Sequence, residues 1–155
     1  MSTAIAKEMD CAVIPIHQTS LLVPNVCIAE ITPWRRLRPK PDTPSWHLGT
    51  LAWRGTQVPV VSYEILNDAP ELVLPPNEPG ACLIIMNRSR PATELTFYGL
   101  AAQGLPRLLH VADDELAQQG AAQHSAEAYR VHLGTEDAIV PKLSMVEGLI
   151  VELVA

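Results

Sequence analysis

Proline and glycine interrupt this chain so often that short strands are the natural filling between the breaks. There are 14 prolines and 8 glycines, and the apolar runs they bound rarely exceed about eight residues. Runs of that length suit strands, and many short strands imply a barrel or a sandwich. At 155 residues the chain holds one cooperative domain, or two small barrels sharing an interface. Apolar residues make up 48% and charged residues 18%, enough to bury a core.

Strands are expected over 11–16 and 21–23, joined by a polar turn at His17, Gln18, Thr19 and Ser20. Residues 26–31 fit a strand or a single helical turn, because the run is too short for its period to decide. Residues 32–45, rich in proline and basic side chains, read as an extended surface loop. The runs 47–53 and 57–61 flank Arg54-Gly55-Thr56 and form a hairpin, with Gly55 supplying the unusual backbone angle. Pro59 removes a ladder donor, which points to an edge strand or a bulge. Ser62 caps a helical turn running to Leu66.

Four prolines within 69–80 mark an exposed excursion between the halves. Strands follow at 82–87, 95–101 and 108–112, with a brief helix at 113–119 that has acids in its first turn. Residues 127–133 alternate as a strand should. Residues 139–146 and 149–154 are expected to close the chain as strands.

Chemistry is harder to find. The chain has no phosphate-cradling glycine loop, no nucleophile elbow and no paired-histidine or C-x-x-C metal motif. Cys11, Cys27 and Cys82 are odd in number and widely spaced, which suits buried small hydrophobes in a reducing compartment. The five histidines sit at no metal-ligand spacing, so neither a catalytic set nor a metal or other cofactor is expected. A formal charge of -6 disfavours a nucleic-acid partner. No run approaches the roughly 20 apolar residues a bilayer span needs, so a soluble cytoplasmic protein without direct membrane insertion is expected. Arg35, Arg36, Arg38 and Lys40, beside Trp34, read as a solvated face or the rim of a protein contact. Trp34, Trp46 and Trp53 concentrate contact potential in one region, as a core wedge or an interface hot spot.

The stretch 43–61 contains Pro44, Trp46, Gly49, Arg54-Gly55 and Pro59-Val60-Val61 at spacings that resemble the P-x-W/F-x-x-G-x-x-x-x-R-G-x-x-x-P-V-V pattern of CheW-like domains, the coupling proteins of bacterial chemosensory arrays. Leu21-Leu22-Val23-Pro24 and Ala29-Glu30-Ile31 are similar to that family's first strands and its V-x-E-I element, and 82–85, 98–100 and 148–154 to its second half. The resemblance implies a mainly β fold of two intertwined five-stranded SH3-like barrels, with one or two short helical turns and an apolar groove between the barrels. It places subdomain 1 at 20–75 and subdomain 2 at 80–145, inside one domain spanning 1–155, with terminal strands at 9–16 and 146–154 completing the barrels.

The function so implied is that of a non-catalytic adaptor joining the cytoplasmic tip of a methyl-accepting chemoreceptor to the regulatory domain of a CheA-type histidine kinase. Arg54 and Glu30 resemble the partner contacts, with Ile31 and Trp53 beside them, while Gly49, Gly55, Val58 and Pro59 resemble the backbone and apolar wall that hold Arg54 in place. The chain departs from the family pattern at Ser62-Tyr63 and Ala101-Ala102, and its expected final strand leaves no room for the C-terminal helix of many coupling proteins. These departures resemble an auxiliary adaptor of a type IV pilus, or twitching-motility, system. A competing reading from a different class is a small-molecule-sensing β-barrel whose pocket is lined by Trp34, Trp46 and Trp53.

Overall fold

A computed structural model describes residues 8–69, 80–89, 95–112, 119–134 and 136–154. The elements in chain order are β1 (Glu8–Ile16), β2 (Thr19–Pro24), a 3-10 turn (Asn25–Cys27), β3 (Ile28–Pro33), β4 (His47–Trp53), β5 (Thr56–Val61), α1 (Tyr63–Leu66), β6 (Cys82–Asn87), β7 (Phe97–Ala102), β8 (Arg107–Ala112), β9 (Gln119–Gly120), β10 (Glu127–Leu133), β11 (Glu136–Pro141) and α2 (Leu143–Val154). Residues 26–31 take up both expected forms, a 3-10 turn followed by a strand. The excursion at 70–79 and the helix expected over 113–118 lie outside the described residues, and Gln119 belongs to β9.

Two sheets result. One has five strands in the order β3-β6-β7-β5-β4, the other six in the order β8-β1-β2-β11-β10-β9, its last member only two residues long. The sheets divide the chain differently from the expected subdomains. β6 pairs with β3 and β7 with β5, so 82–102 joins the lobe of 28–61, whereas β1 and β2 join β8 and β11. Antiparallel pairing and two short parallel contacts, rather than order in the chain, decide membership.

Alternation along the strands explains why they read as unbroken apolar runs. Cys11, Val13 and Leu22 pack inside the six-stranded lobe with Val111 and Val131. Their neighbours Ala12, Ile14, Leu21 and Val23 turn the other way, toward Ile84, Met86, Tyr98 and Leu100 of the five-stranded sheet. Within that sheet Leu83 and Ile85 point back into a separate cluster with Leu51, Trp53, Val58 and Val60. Each such strand is buried on both faces, so its sequence keeps no polar side. The apolar groove expected between the barrels is accordingly a packed seam, because the side chains the two sheets turn to one another are buried in a single cluster.

The final segment corrects the sequence reading most. Residues 143–154 form the helix α2, so the expected strand at 149–154, the terminal strand at 146–154 and the absence of a C-terminal helix are all overturned. Val146 and Ile150, four apart, are fully buried in the seam, as a helix face requires. Between them Glu147, 2% exposed, accepts hydrogen bonds from Ser89 N at 2.9 Å and from the Tyr98 hydroxyl at 3.0 Å, which fastens α2 to the five-stranded lobe. Burial and the Glu147 carboxylate together push the Tyr98 phenol far above its ordinary range. Pro59 corrects another expectation. β5 is an interior strand, and Pro59 precedes Val60, where pairing with β7 begins, so its missing N–H falls outside that ladder. The irregular step lies across from it in β4, between His47 and Gly49.

Candidate functional site

Trp53 and Thr56 face each other across the β4–β5 hairpin, leaving Arg54 and Gly55 as a two-residue loop. Both loop residues have positive φ, 48° for Arg54 and 74° for Gly55, as the tight turn that matches strand twist requires. The sequence assigned that angle to glycine alone. Arg54 adopts it despite its Cβ, a conformation that costs about 1–2 kcal/mol and persists where surrounding contacts fix it.

Those contacts come from across the lobe. β3 and β4 are the two edges of the five-stranded sheet, and Glu30 of β3 reaches from one to the other. Its carboxylate accepts from Trp53 Nε1 at 2.9 Å and from Arg54 Nη2 at 2.6 Å. The Arg54 guanidinium lies 4.8 Å from the centre of the Trp53 ring, a cation–π contact. Trp53 is itself wedged edge-on against Phe97, ring centres 4.9 Å apart. The Trp53 hydrogen bond, then the nearby Arg54 guanidinium, hold the Glu30 carboxyl below its ordinary value. Glu30 thus closes the barrel at its edges while pinning the hairpin tip.

The exposure of each member follows. The Arg54 side chain is 67% exposed and that of Glu30 33%, whereas Trp53 is buried. The Arg54 guanidinium is therefore oriented by Glu30 and Trp53 yet largely open to solvent. Of the residues singled out from sequence, Arg54, Glu30, Trp53 and Gly55 come together. Val58 and Pro59 are both buried, Val58 in the lobe core beside Trp53 and Pro59 on the opposite face of β5, where it lines a surface concavity. Gly49 lies beneath the preceding loop: a Cβ there would stand 2.9 Å from both the Arg38 carbonyl oxygen and the Leu37 Cβ. Ile31 is exposed, but alternation puts it on the face of β3 opposite Glu30. Sequence reasoning missed the pairing itself, because Glu30 and Arg54 are 24 residues apart and no local pattern links them. It also missed Arg35, whose charge adds to the lowering at Glu30.

The tryptophans do not assemble into a pocket. Trp46 packs on the seam, Trp53 belongs to the core of the five-stranded lobe, and Trp34, partly buried, packs against that core from outside. Burial pushes the thiols of Cys11, Cys27 and Cys82 up, which disfavours the thiolate; Cys27 is only half-buried. Among the described residues no group of His, Cys, Asp and Glu side chains is arranged to hold a metal ion, and no helix is long and apolar enough to cross a membrane.

No curated protein matches this chain by sequence. Among solved structures it is similar to the scaffolding protein TtCheW from Thermoanaerobacter tengcongensis, with a TM-score of 0.72 and 11% identity over 92% of this chain and 90% of that one, a likeness of fold. The family model for the CheW-like domain matches residues 10–144, from β1 through every described strand into the first turn of α2. With two interlocked sheets and a matched span covering most of its length, the chain belongs to the CheW-like domain family.

Proposed function

We propose that this protein is a non-catalytic adaptor of bacterial chemosensory signalling that works in the cytoplasm, and that the hairpin tip carrying Arg54 is where it engages a partner. Its partners in this reading are the cytoplasmic tip of a methyl-accepting chemoreceptor and the regulatory domain of a CheA-type kinase. The observation that carries the reading is the Glu30–Trp53–Arg54 cluster. It holds a strained turn in one conformation and presents an exposed guanidinium, a group suited to carboxylates and carbonyls on a protein surface. Ordering is done before binding, so little entropy is lost on contact. Signal passes by assembly, and the adaptor needs no reactive group of its own. A twitching-motility system is the setting that the departures at Ser62-Tyr63 and Ala101-Ala102 favour.

Binding of the intact chain to a CheA-type regulatory domain and to a receptor tip peptide, measured by calorimetry, tests this. Arg54→Ala is expected to weaken at least one of the two complexes about tenfold or more, within the range of a hot-spot residue. Undiminished binding of both partners by a folded Arg54→Ala protein would remove the hairpin tip from the interface.

A further inference from the structure

The face of the β4–β5 hairpin turned away from Glu30 and Trp53 has a different character. Three adjoining concavities of about 360, 220 and 430 Å³ run along it, and all three are bounded by Thr50 and Gln57. Arg36, Arg38 and Lys40 of the β3–β4 loop supply their charge, and among the described residues no acidic side chain lines any of them. The three cations have no ion-pair partner among the described residues, whereas Arg54, Arg107 and Arg130 each have a carboxylate. In a chain with 17 acidic and 11 basic residues, that is a concentrated positive surface with no ion-paired carboxylate among the described residues. Its field is felt nearby: burial first, then the Lys40 ammonium, holds the His47 imidazole below its ordinary value.

The loop that carries these charges is fixed to the barrel. Arg38 N donates to Thr50 O at 2.8 Å and Thr50 N donates to Arg38 O at 2.9 Å, an isolated antiparallel bridge along the edge of β4. Gly49 permits the approach, since any Cβ there would collide with the Arg38 carbonyl. The bridge also occupies the hydrogen-bonding edge of β4 at this point, so a ligand would be read by side chains rather than as an added strand.

We infer that this groove binds an acidic, extended peptide segment of a protein partner, its carboxylates meeting Arg36, Arg38 and Lys40 and its backbone meeting Thr50 and Gln57. A nucleic acid fits less well, because Trp34 has one side packed against the core of the lobe and does not line the groove, and a formal charge of -6 opposes a long polyanion. The surface is distinct from the hairpin tip: Thr50, Ala52 and Gln57 point to the side of the hairpin opposite Trp53.

Fluorescence anisotropy of a labelled hexaglutamate peptide with the intact chain, at about 20 mM salt, provides the test. Saturable binding is expected, weakened about tenfold or more by the double substitution Arg36→Glu/Arg38→Glu and by raising salt to about 200 mM. Both substitutions act on exposed side chains and leave the Arg38–Thr50 backbone bridge intact, and thermal unfolding checks that the fold is kept. Arg54→Ala is expected to change hexaglutamate affinity by less than about twofold, which separates this groove from the adaptor contact. No binding at about 1 mM peptide, an equal loss with Arg54→Ala, or equally tight binding of a six-nucleotide oligothymidylate would overturn the inference.

Discussion

Two of the arginine–glutamate pairs among the described residues are built to opposite ends. Glu30–Arg54 stands at the rim of the five-stranded lobe with its guanidinium two-thirds exposed. Glu127–Arg130 lies where α1 meets β10, with the Glu127 side chain fully buried and both guanidinium contacts short, 2.8 and 2.9 Å. Glu127 also accepts from Asn67 Nδ2 at 2.8 Å and from Gln123 N at 3.1 Å. Asn67 in turn accepts from Ala126 N, and Tyr63 donates to Ala126 O, so the end of α1 is laced to the six-stranded lobe. The same chemistry is enclosed within the structure in one place and displayed at the surface in the other. Burial and the number of additional partners set the difference, not the identity of the charges.

The contrast breaks most easily at Glu127. Its carboxyl is pushed down to about 2, chiefly by the Arg130 hydrogen bonds and then by Asn67. A carboxylate lowered on folding contributes stability above its unfolded value of about 4.5 and loses it as the pH falls toward about 2. That contribution is on the order of 3 kcal/mol. Glu127→Ala is expected to cost about 3–5 kcal/mol at neutral pH, read by denaturant unfolding, and to flatten the acid limb of the stability curve between about pH 4.5 and 2. A cost of less than about 1 kcal/mol would mean that the two pairs are equivalent after all.

A smaller effect is expected from Trp53→Phe, which keeps the aromatic wedge but removes the Nε1 donor to Glu30. The unfolding midpoint should fall by about 2–6 °C. The Glu30 carboxyl should titrate at a higher pH than in the parent protein, as carboxylate NMR shifts would report. The smallest change in stability belongs to Arg54→Ala. Losing an exposed pair should move the midpoint by about 4 °C or less, even where partner binding is lost. A larger drop would assign Arg54 to the structural class that Glu127 defines.

Much of this architecture was legible in the sequence where a strand keeps its own punctuation. The strands at 47–53, 82–87 and 127–133 have the bounds expected, and Ser62 caps α1 by accepting from Ile65 N, as expected. The last helix was not legible. Ser144, Gly148 and Glu152 fall four apart as an exposed helix face requires, but the adjoining Glu147 and Gly148 divide the apolar residues of 143–154 into two strand-length pieces. Gly148 looked like a break between two strands, and the one charge buried there, Glu147, is explained only by Ser89 and Tyr98 from distant segments. The candidate site divides the same way. The Arg54-Gly55 turn is a local pattern, whereas its clasp by Glu30 depends on two sheet edges meeting, which only the closed lobe brings about.

The double burial of β1 and β6 makes each of them a party wall. Ile14 and Ile84 belong to the seam while Val13 and Ile85 line the separate interiors, so neither compartment can be dismantled without stripping one side of a partition the other still needs. Denaturant should therefore melt the two sheets in a single event, and a load applied at the hairpin tip is borne by the whole molecule.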